Sequence, residues 1–120
     1  MSNKNTASAF IETAALGDPH EAYDKFVAPD FIHHNQYFKG DRASLLEAMV
    51  DDAKTDPNTS CSIKQIIEEG DKVVAYSYIT KKNMKIAVFH MFRFANGKIV
   101  EMWDIGQEIL NDSPNENGLF

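Results

Sequence analysis

The chain has 120 residues, enough for one domain with a single core. Apolar residues make up 43% and charged residues 25% of it, which is ordinary for a soluble globular protein. Its net charge of -6 and lack of a dense Lys/Arg cluster argue against nucleic acid binding, and no apolar run approaches the roughly 20 residues that span a bilayer.

Simple sequence signals bear on the cellular compartment and on the limits of the domain. The first residues, 1–5, lack the apolar segment of a secretory signal, and the single cysteine, Cys61, excludes an intrachain disulfide. We therefore expect a cytoplasmic protein. We also expect one domain over residues 1–120, with less ordered tails at 1–5 and 111–120.

Helix signals dominate the first half of the chain. Apolar residues recur at helical spacing over residues 7–15, and Gly17 follows as a stop signal. Asp18-Pro19 is typical of an N-cap followed by a proline in the first helical turn, so it predicts a second helix, which Pro29 ends. A short strand is predicted near residues 31–35.

A third helix and a run of strands follow. Gly40-Asp41 opens the third helix, and residues 56–58 close it. Hairpin turn residues then separate four predicted strands. These strands cover residues 62–68, 73–80, 85–94 and 98–109. Helices followed by a hairpin-connected meander predict an α+β fold, in which N-terminal helices pack in a curved antiparallel sheet.

Two ionisable residues, His90 and Asp104, lie in the last two strands among residues that otherwise belong in a core. Alternation places His90 on the same strand face as Val88 and Phe92. Burying such groups is costly unless they are paired or hydrogen-bonded. The pairing of the two strands therefore decides whether these residues form a functional pair.

The turn at residues 95–97 permits two pairings. A two-residue turn at Asn96-Gly97 would place His90 opposite Trp103 and put Asp104 on the other face. A three-residue loop would instead place His90 opposite Met102, with Asp104 diagonal to it on the same face. We favour the three-residue loop, because it also gathers Arg93 and Glu101 on the opposite face.

Several segments resemble the SnoaL-like proteins of the nuclear-transport-factor-2-like superfamily. The most specific of them is FRFANGKIVEMWD at residues 92–104, and residues 117–120 resemble the tail of an uncharacterised branch. Further similarity lies at residues 31–35, 40–42 and 70–74. The resemblance covers nearly the whole chain.

The resemblance implies a cone-shaped α+β barrel, whose strongly curved sheet wraps around the helices and encloses an apolar pocket. It also implies a homodimer formed through the outer sheet face. Polyketide cyclases of this family close a ring by aldol chemistry, with an acid/base Asp assisted by a His. Relatives isomerise, dehydrate or hydrolyse small apolar substrates, and others only bind ligands.

The chain departs from the family pattern at three places. His33-His34-Asn35-Gln36 stands where the family has Gln-His-Asn-Pro. His90 replaces a usual Asp, and Met102 replaces a usual His. The imidazole has in effect moved to the facing strand, which keeps a His–Asp pair with Asp104 as the acid.

These considerations give candidate catalytic residues. Asp104 would act as general base, His90 would assist it, and His34 or a Tyr hydroxyl would polarise a carbonyl oxygen, whereas His33 would point away from the pocket. We expect no metal, since the adjacent histidines cannot both face one ion, and no cofactor. The predicted substrate pocket comprises Phe10, Phe26, Met49, Tyr76, Val88, Phe92 and Met102.

The leading hypothesis is a cofactor-independent cyclase, isomerase or lyase that acts on a small, largely apolar carbonyl compound. Proton removal next to the carbonyl would be the common first step. The alternative is a non-catalytic module that binds a small ligand or serves for dimerisation. No nucleic acid or membrane partner is expected.

Overall fold

The computed structural model describes residues 1–120, with three helices and five strands. Two helices open the chain, one strand follows, a third helix comes next, and four strands complete the fold. In chain order the elements are α1 (Asn3–Leu16), α2 (Pro19–Phe26), β1 (Val27–His34), α3 (Arg42–Thr55), β2 (Asn58–Glu69), β3 (Lys72–Lys81), β4 (Lys85–Ala95) and β5 (Lys98–Glu108). The segment 3–5, expected as a tail, therefore belongs to α1.

Side-chain caps begin two of the helices where the sequence predicts them. The Asp18 carboxylate accepts a hydrogen bond from the backbone N–H of His20 at 2.9 Å and begins α2. Asp41 accepts from the N–H of Ser44 at 3.0 Å and begins α3. Each cap satisfies a backbone donor that the helix itself leaves free.

The five strands form one mixed sheet in the order β1-β5-β4-β3-β2. The predicted antiparallel meander is present from β2 to β5, whereas β1 pairs with β5 in parallel. The sheet is therefore mixed rather than wholly antiparallel. It is curved, and it stays open rather than closing into a barrel. Pro29 lies within β1. An edge strand tolerates proline, because one row of its backbone groups makes no hydrogen bonds to a neighbouring strand.

The core lies between the helices and the inner face of the sheet. Its centre is aromatic: the ring of Phe10 lies 5.6 Å from that of Tyr23 and 5.7 Å from that of Phe92. Tyr23 and Phe92 are fully buried. Small residues of α1 and α2 let the helices approach the strands closely, as Ala7 and Ala22 are fully buried too.

The outer sheet face carries exposed apolar side chains. Phe89 is 50% and Ile105 is 72% exposed. The C-terminal Phe120 covers part of this face, packing on the rings of Tyr76 and Tyr78. Such a surface is compatible with a partner subunit, and the homodimer stays a prediction. No helix is both long and apolar enough to cross a membrane.

Candidate active site

The β4–β5 hairpin brings His90 and Asp104 directly opposite each other. Asn96 (φ 53°) and Gly97 (φ 77°) both adopt the left-handed conformation of a two-residue type I′ turn, so the favoured three-residue loop is wrong. A β-bulge then inserts Val100 between the paired positions and shifts the pairing by one residue. Both pairings considered from the sequence missed this shift.

His90 and Asp104 form the central pair of the site. The Nε2 atom of His90 lies 3.6 Å from Oδ1 of Asp104, and both side chains are largely buried. The other ring nitrogen, Nδ1 of His90, is buried without a hydrogen-bond partner. Burial lowers the pKa of His90 below its usual range. The negative charge of Asp104 acts in the other direction and raises the pKa by less. The imidazole is therefore neutral at pH 7.

Asn35 completes the site from the end of β1. Its Nδ2 donates a hydrogen bond of 3.1 Å to Oδ2 of Asp104, while its Oδ1 accepts one of 2.9 Å from the N–H of Tyr37. Asn35 was not among the candidate catalytic residues that the sequence suggested. The residue belongs to the family-like segment 31–35, which was the available signal. One carboxylate oxygen of Asp104 is thus held, and the other faces His90.

The two adjacent histidines differ in their surroundings. His33 is 5% exposed, and its Nε2 donates a hydrogen bond of 2.7 Å to the carbonyl oxygen of Lys39, so it does not point to the surface. His34 pairs in the sheet with Trp103 and stacks on its ring, on the face opposite Asp104. His34 also borders the open cleft beside Asn35, so its expected role at the substrate carbonyl stays a prediction.

The His34 side chain belongs to a network of polar and charged side chains on the outer face. Its Nε2 lies 2.6 Å from one carboxylate oxygen of Glu101, and Nε of Arg93 lies 2.9 Å from the other. Hydrogen bonds from His34 and Arg93 hold the pKa of Glu101 below its usual range. The predicted Arg93–Glu101 pairing is present, and it fixes the hairpin beyond the bulge.

A tyrosine of α2 lies beneath the pair. Desolvation raises the pKa of the Tyr23 phenol well above its usual range, Arg42 lowers it, and the charge of Asp104 raises it further. The Tyr23 hydroxyl donates only to the sulfur of Met49, at 3.1 Å. Tyr23 thus stays protonated near neutral pH, with its hydroxyl bonded to a weak acceptor.

An open cleft of about 1050 Å³ runs along the inner face of the sheet past this pair. His33 and Phe38 lie at one end, His90 and Asp104 in the wall, and Lys81 at the other end. Seven of its twenty lining residues are hydrophobic, so the cleft is more polar than the pocket that the resemblance implies. Its size suits a ligand of drug-like dimensions.

The predicted pocket residues fall into three groups. Val88 lines the cleft. Tyr76 lies on the outer face, stacked on Phe89 at 3.9 Å between ring centroids, which excludes it from the cleft. The remaining five belong to the core or pack against it: Phe10, Phe26, Met49, Phe92 and Met102. Hydrophobicity alone does not distinguish a core position from a pocket wall, which explains these errors.

Comparison with known proteins identifies the family. Residues 4–109 match the SnoaL-like polyketide cyclase family. The chain belongs to this family. None of the curated protein sequences matches the chain significantly. In this SnoaL-like protein Asp104 is the acid of the β4–β5 hairpin, and its facing partner is His90.

Solved structures share the fold of this SnoaL-like chain. IdmH of Streptomyces antibioticus, proposed to be a polyketide cyclase, has a TM-score of 0.75 at 19% identity, over 89% of this chain and 93% of IdmH. A proposed SnoaL-like polyketide cyclase from Jannaschia sp. CCS1 has a TM-score of 0.75 at 16% identity, over 88% and 85% of the two chains. A proposed ketosteroid isomerase from Kribbella flavida has a TM-score of 0.73 at 14% identity, over 98% and 87%.

Acid should destabilise this SnoaL-like protein in two stages. Because the pKa of His90 is lowered in the folded state, stability is complete above the usual value of 6.5 and falls as the pH drops below it. Glu101, whose pKa is also lowered, adds a second loss below its usual 4.5. Melting temperatures recorded from about pH 8 to about pH 4 should show both stages, and His90→Gln should remove the first. A melting temperature that is constant between about pH 7 and pH 5 would contradict the buried neutral His90.

Proposed function

We propose that the protein catalyses cofactor-independent proton transfer at a carbon atom next to a carbonyl group, on a small molecule with an apolar body. The observation that carries this proposal is the direct opposition of His90 and Asp104 in the wall of the cleft, with Asn35 holding the acid. A carboxylate in a cleft wall, with one oxygen held by Asn35 and the other beside His90 without a hydrogen bond, suits a general base. Family membership supports the same chemistry.

The reaction begins when Asp104 removes a proton from the carbon next to the carbonyl. The electron pair of the broken C–H bond forms an enolate, and the carboxyl group holds the proton until it is returned to a carbon or oxygen atom of the product. Neutral His90 beside the acid preserves its basicity, because a neighbouring imidazolium would favour the charged carboxylate and weaken it as a base. Aldol ring closure, double-bond isomerisation and dehydration all pass through such an enolate.

A substrate-independent assay tests this reaction class. We expect the protein to accelerate exchange of the acetyl protons of para-acetylbiphenyl in deuterated buffer, followed by proton NMR. General-base catalysis contributes on the order of a hundredfold or more over the solvent reaction. If the ketone raises the melting temperature without any exchange, the protein is a binding module instead. If neither effect occurs with this or related aryl ketones, the proposed substrate class is wrong.

A further inference from the structure

Lys81, the last residue of β3, is a lysine in an unusual environment. Its side chain is 7% exposed, whereas lysine side chains seldom leave water unless they are paired. It lies at the end of the cleft with Asn58 and Met84, far along the sheet from Asp104. The reaction described above makes no use of this group.

The ammonium group of Lys81 has more N–H donors than the surrounding protein has acceptors for them. Its Nζ donates to Oδ2 of Asp52 at 2.7 Å and to the carbonyl oxygen of Asp56 at 2.5 Å. The carboxylate of Asp56 lies 3.9 Å away, beyond hydrogen-bond distance. An ammonium group carries three N–H donors, and the protein supplies acceptors for two of them. A largely buried donor of this kind is costly unless an acceptor reaches it, and the cleft is where one could enter.

Charge decides which acceptor fits. The carboxylates of Asp52 and Asp56 both lie within 4 Å of the ammonium and together outweigh its charge. A carboxylate on a ligand would therefore meet two like charges at this end of the cleft. A neutral hydroxyl or carbonyl oxygen can accept the remaining hydrogen bond without that repulsion.

The distance between Lys81 and the acid–base pair sets the shape of such a ligand. Thr80 pairs with Lys85, and His90 follows five residues later along β4. Five residues of a strand span roughly 17 Å along β4, and Lys81 and Asp104 lie one strand to either side of β4, about 5 Å away each, whereas their side chains shorten the gap. The floor between them carries Ile86 and Val88, which match an apolar body.

We infer that Lys81 is a specificity-determining residue, which donates a hydrogen bond to a neutral oxygen at the end of the substrate remote from the reacting carbonyl. The substrate class is then an elongated, uncharged molecule with an oxygen function at each end and an apolar middle. This inference rests on the proposed function for the identity of the reacting end.

Three related ketones test the inference by calorimetric titration of the full chain. They are para-acetylbiphenyl, the same ketone with a hydroxyl group at the far para position, and the same ketone with a carboxylate there. We expect the hydroxylated ketone to bind about five- to tenfold more tightly than the parent, as one hydrogen bond provides, and the carboxylate to bind no more tightly than the parent. Lys81→Met should abolish the preference for the hydroxyl.

Lys85→Met is the matched control, because Lys85 is an exposed lysine at the start of the next strand and does not line the cleft. It should retain the preference. Three results would each overturn the inference. They are equal affinity of the wild-type protein for the parent and hydroxylated ketones, tighter binding of the carboxylate, and a preference for the hydroxylated ketone that survives in Lys81→Met. Since Lys81 also ties α3 to the sheet, circular dichroism must show that Lys81→Met is folded; the wild-type comparison stands without it.

The outcomes for the two proposals are separable, because binding requires no turnover. A preference for the hydroxylated ketone without proton exchange would leave the Lys81 assignment intact and overturn the proposed reaction. Exchange without any preference would overturn the role of Lys81 alone.

Discussion

Replacing Asp104 with Asn should reduce the enzymatic proton exchange of para-acetylbiphenyl by about a hundredfold or more, since the amide cannot act as a base at neutral pH. The substitution preserves the shape of the side chain, and its amide oxygen can still accept the hydrogen bond that Asn35 donates. The fold should therefore persist. Exchange rates by NMR, together with the melting temperature of each protein, measure the two effects separately.

Glu108→Gln provides the matched control for this substitution. Glu108 lies on the same face of β5 and faces the same cleft, but it makes no hydrogen bond to His90 or Asn35. Removing its charge should leave the exchange rate within about twofold, because a distant, exposed charge contributes little. Equal losses in both variants would show that the cleft acts through its overall charge and not through Asp104.

Phe92→Ala should lower the free energy of unfolding by about 3–5 kcal/mol, the usual cost of emptying a buried aromatic site. The Phe92 ring is fully buried, meets the Phe10 ring edge-on at 5.7 Å and stacks beside His90 at the same centroid distance. The substitution thus creates a cavity behind the acid–base pair. Urea denaturation followed by circular dichroism measures the loss.

Phe89→Ala is the control for the core substitution, since Phe89 lies on the same strand but on the outer face, half exposed. It loses only its stacking contact with Tyr76 and part of its burial. We expect a loss well under half that of Phe92→Ala. Similar losses for the two variants would mean that the outer face is as deeply buried in solution as the core, as a partner subunit would make it.

The local signals in the sequence located most of the secondary structure. Asp18-Pro19 and Asp41 marked the starts of two helices because a short polar side chain before a helix satisfies its free backbone donors. Turn residues at 70 and 96–97 marked the β2–β3 and β4–β5 hairpins because they tolerate positive φ angles. The family-like segment at 92–104 correctly indicated the SnoaL-like fold.

Only the tertiary structure decided how these elements meet. The parallel pairing of β1 with β5 joins residues about 70 positions apart, and no local pattern encodes it. That pairing places His33 on the buried side, contrary to the expectation, and sets His34 beside Trp103. Alternation divides a strand into two faces without saying which is buried, and here both faces are rich in apolar residues.

The acid–base pair shows most clearly what the sequence indicated and what only the tertiary structure decided. The sequence alone singled out His90 and Asp104, because ionisable residues within apolar strands need a partner. Their opposition depends on the bulge at Val100, which shifts the pairing of the two strands by one residue. Without this shift, the two-residue turn would place His90 and Asp104 on different faces of the sheet. The bulge lies beside the Arg93–Glu101 pair of the hairpin, and Glu101 is also bonded by His34, a residue distant in sequence, so only the folded sheet shows these contacts together.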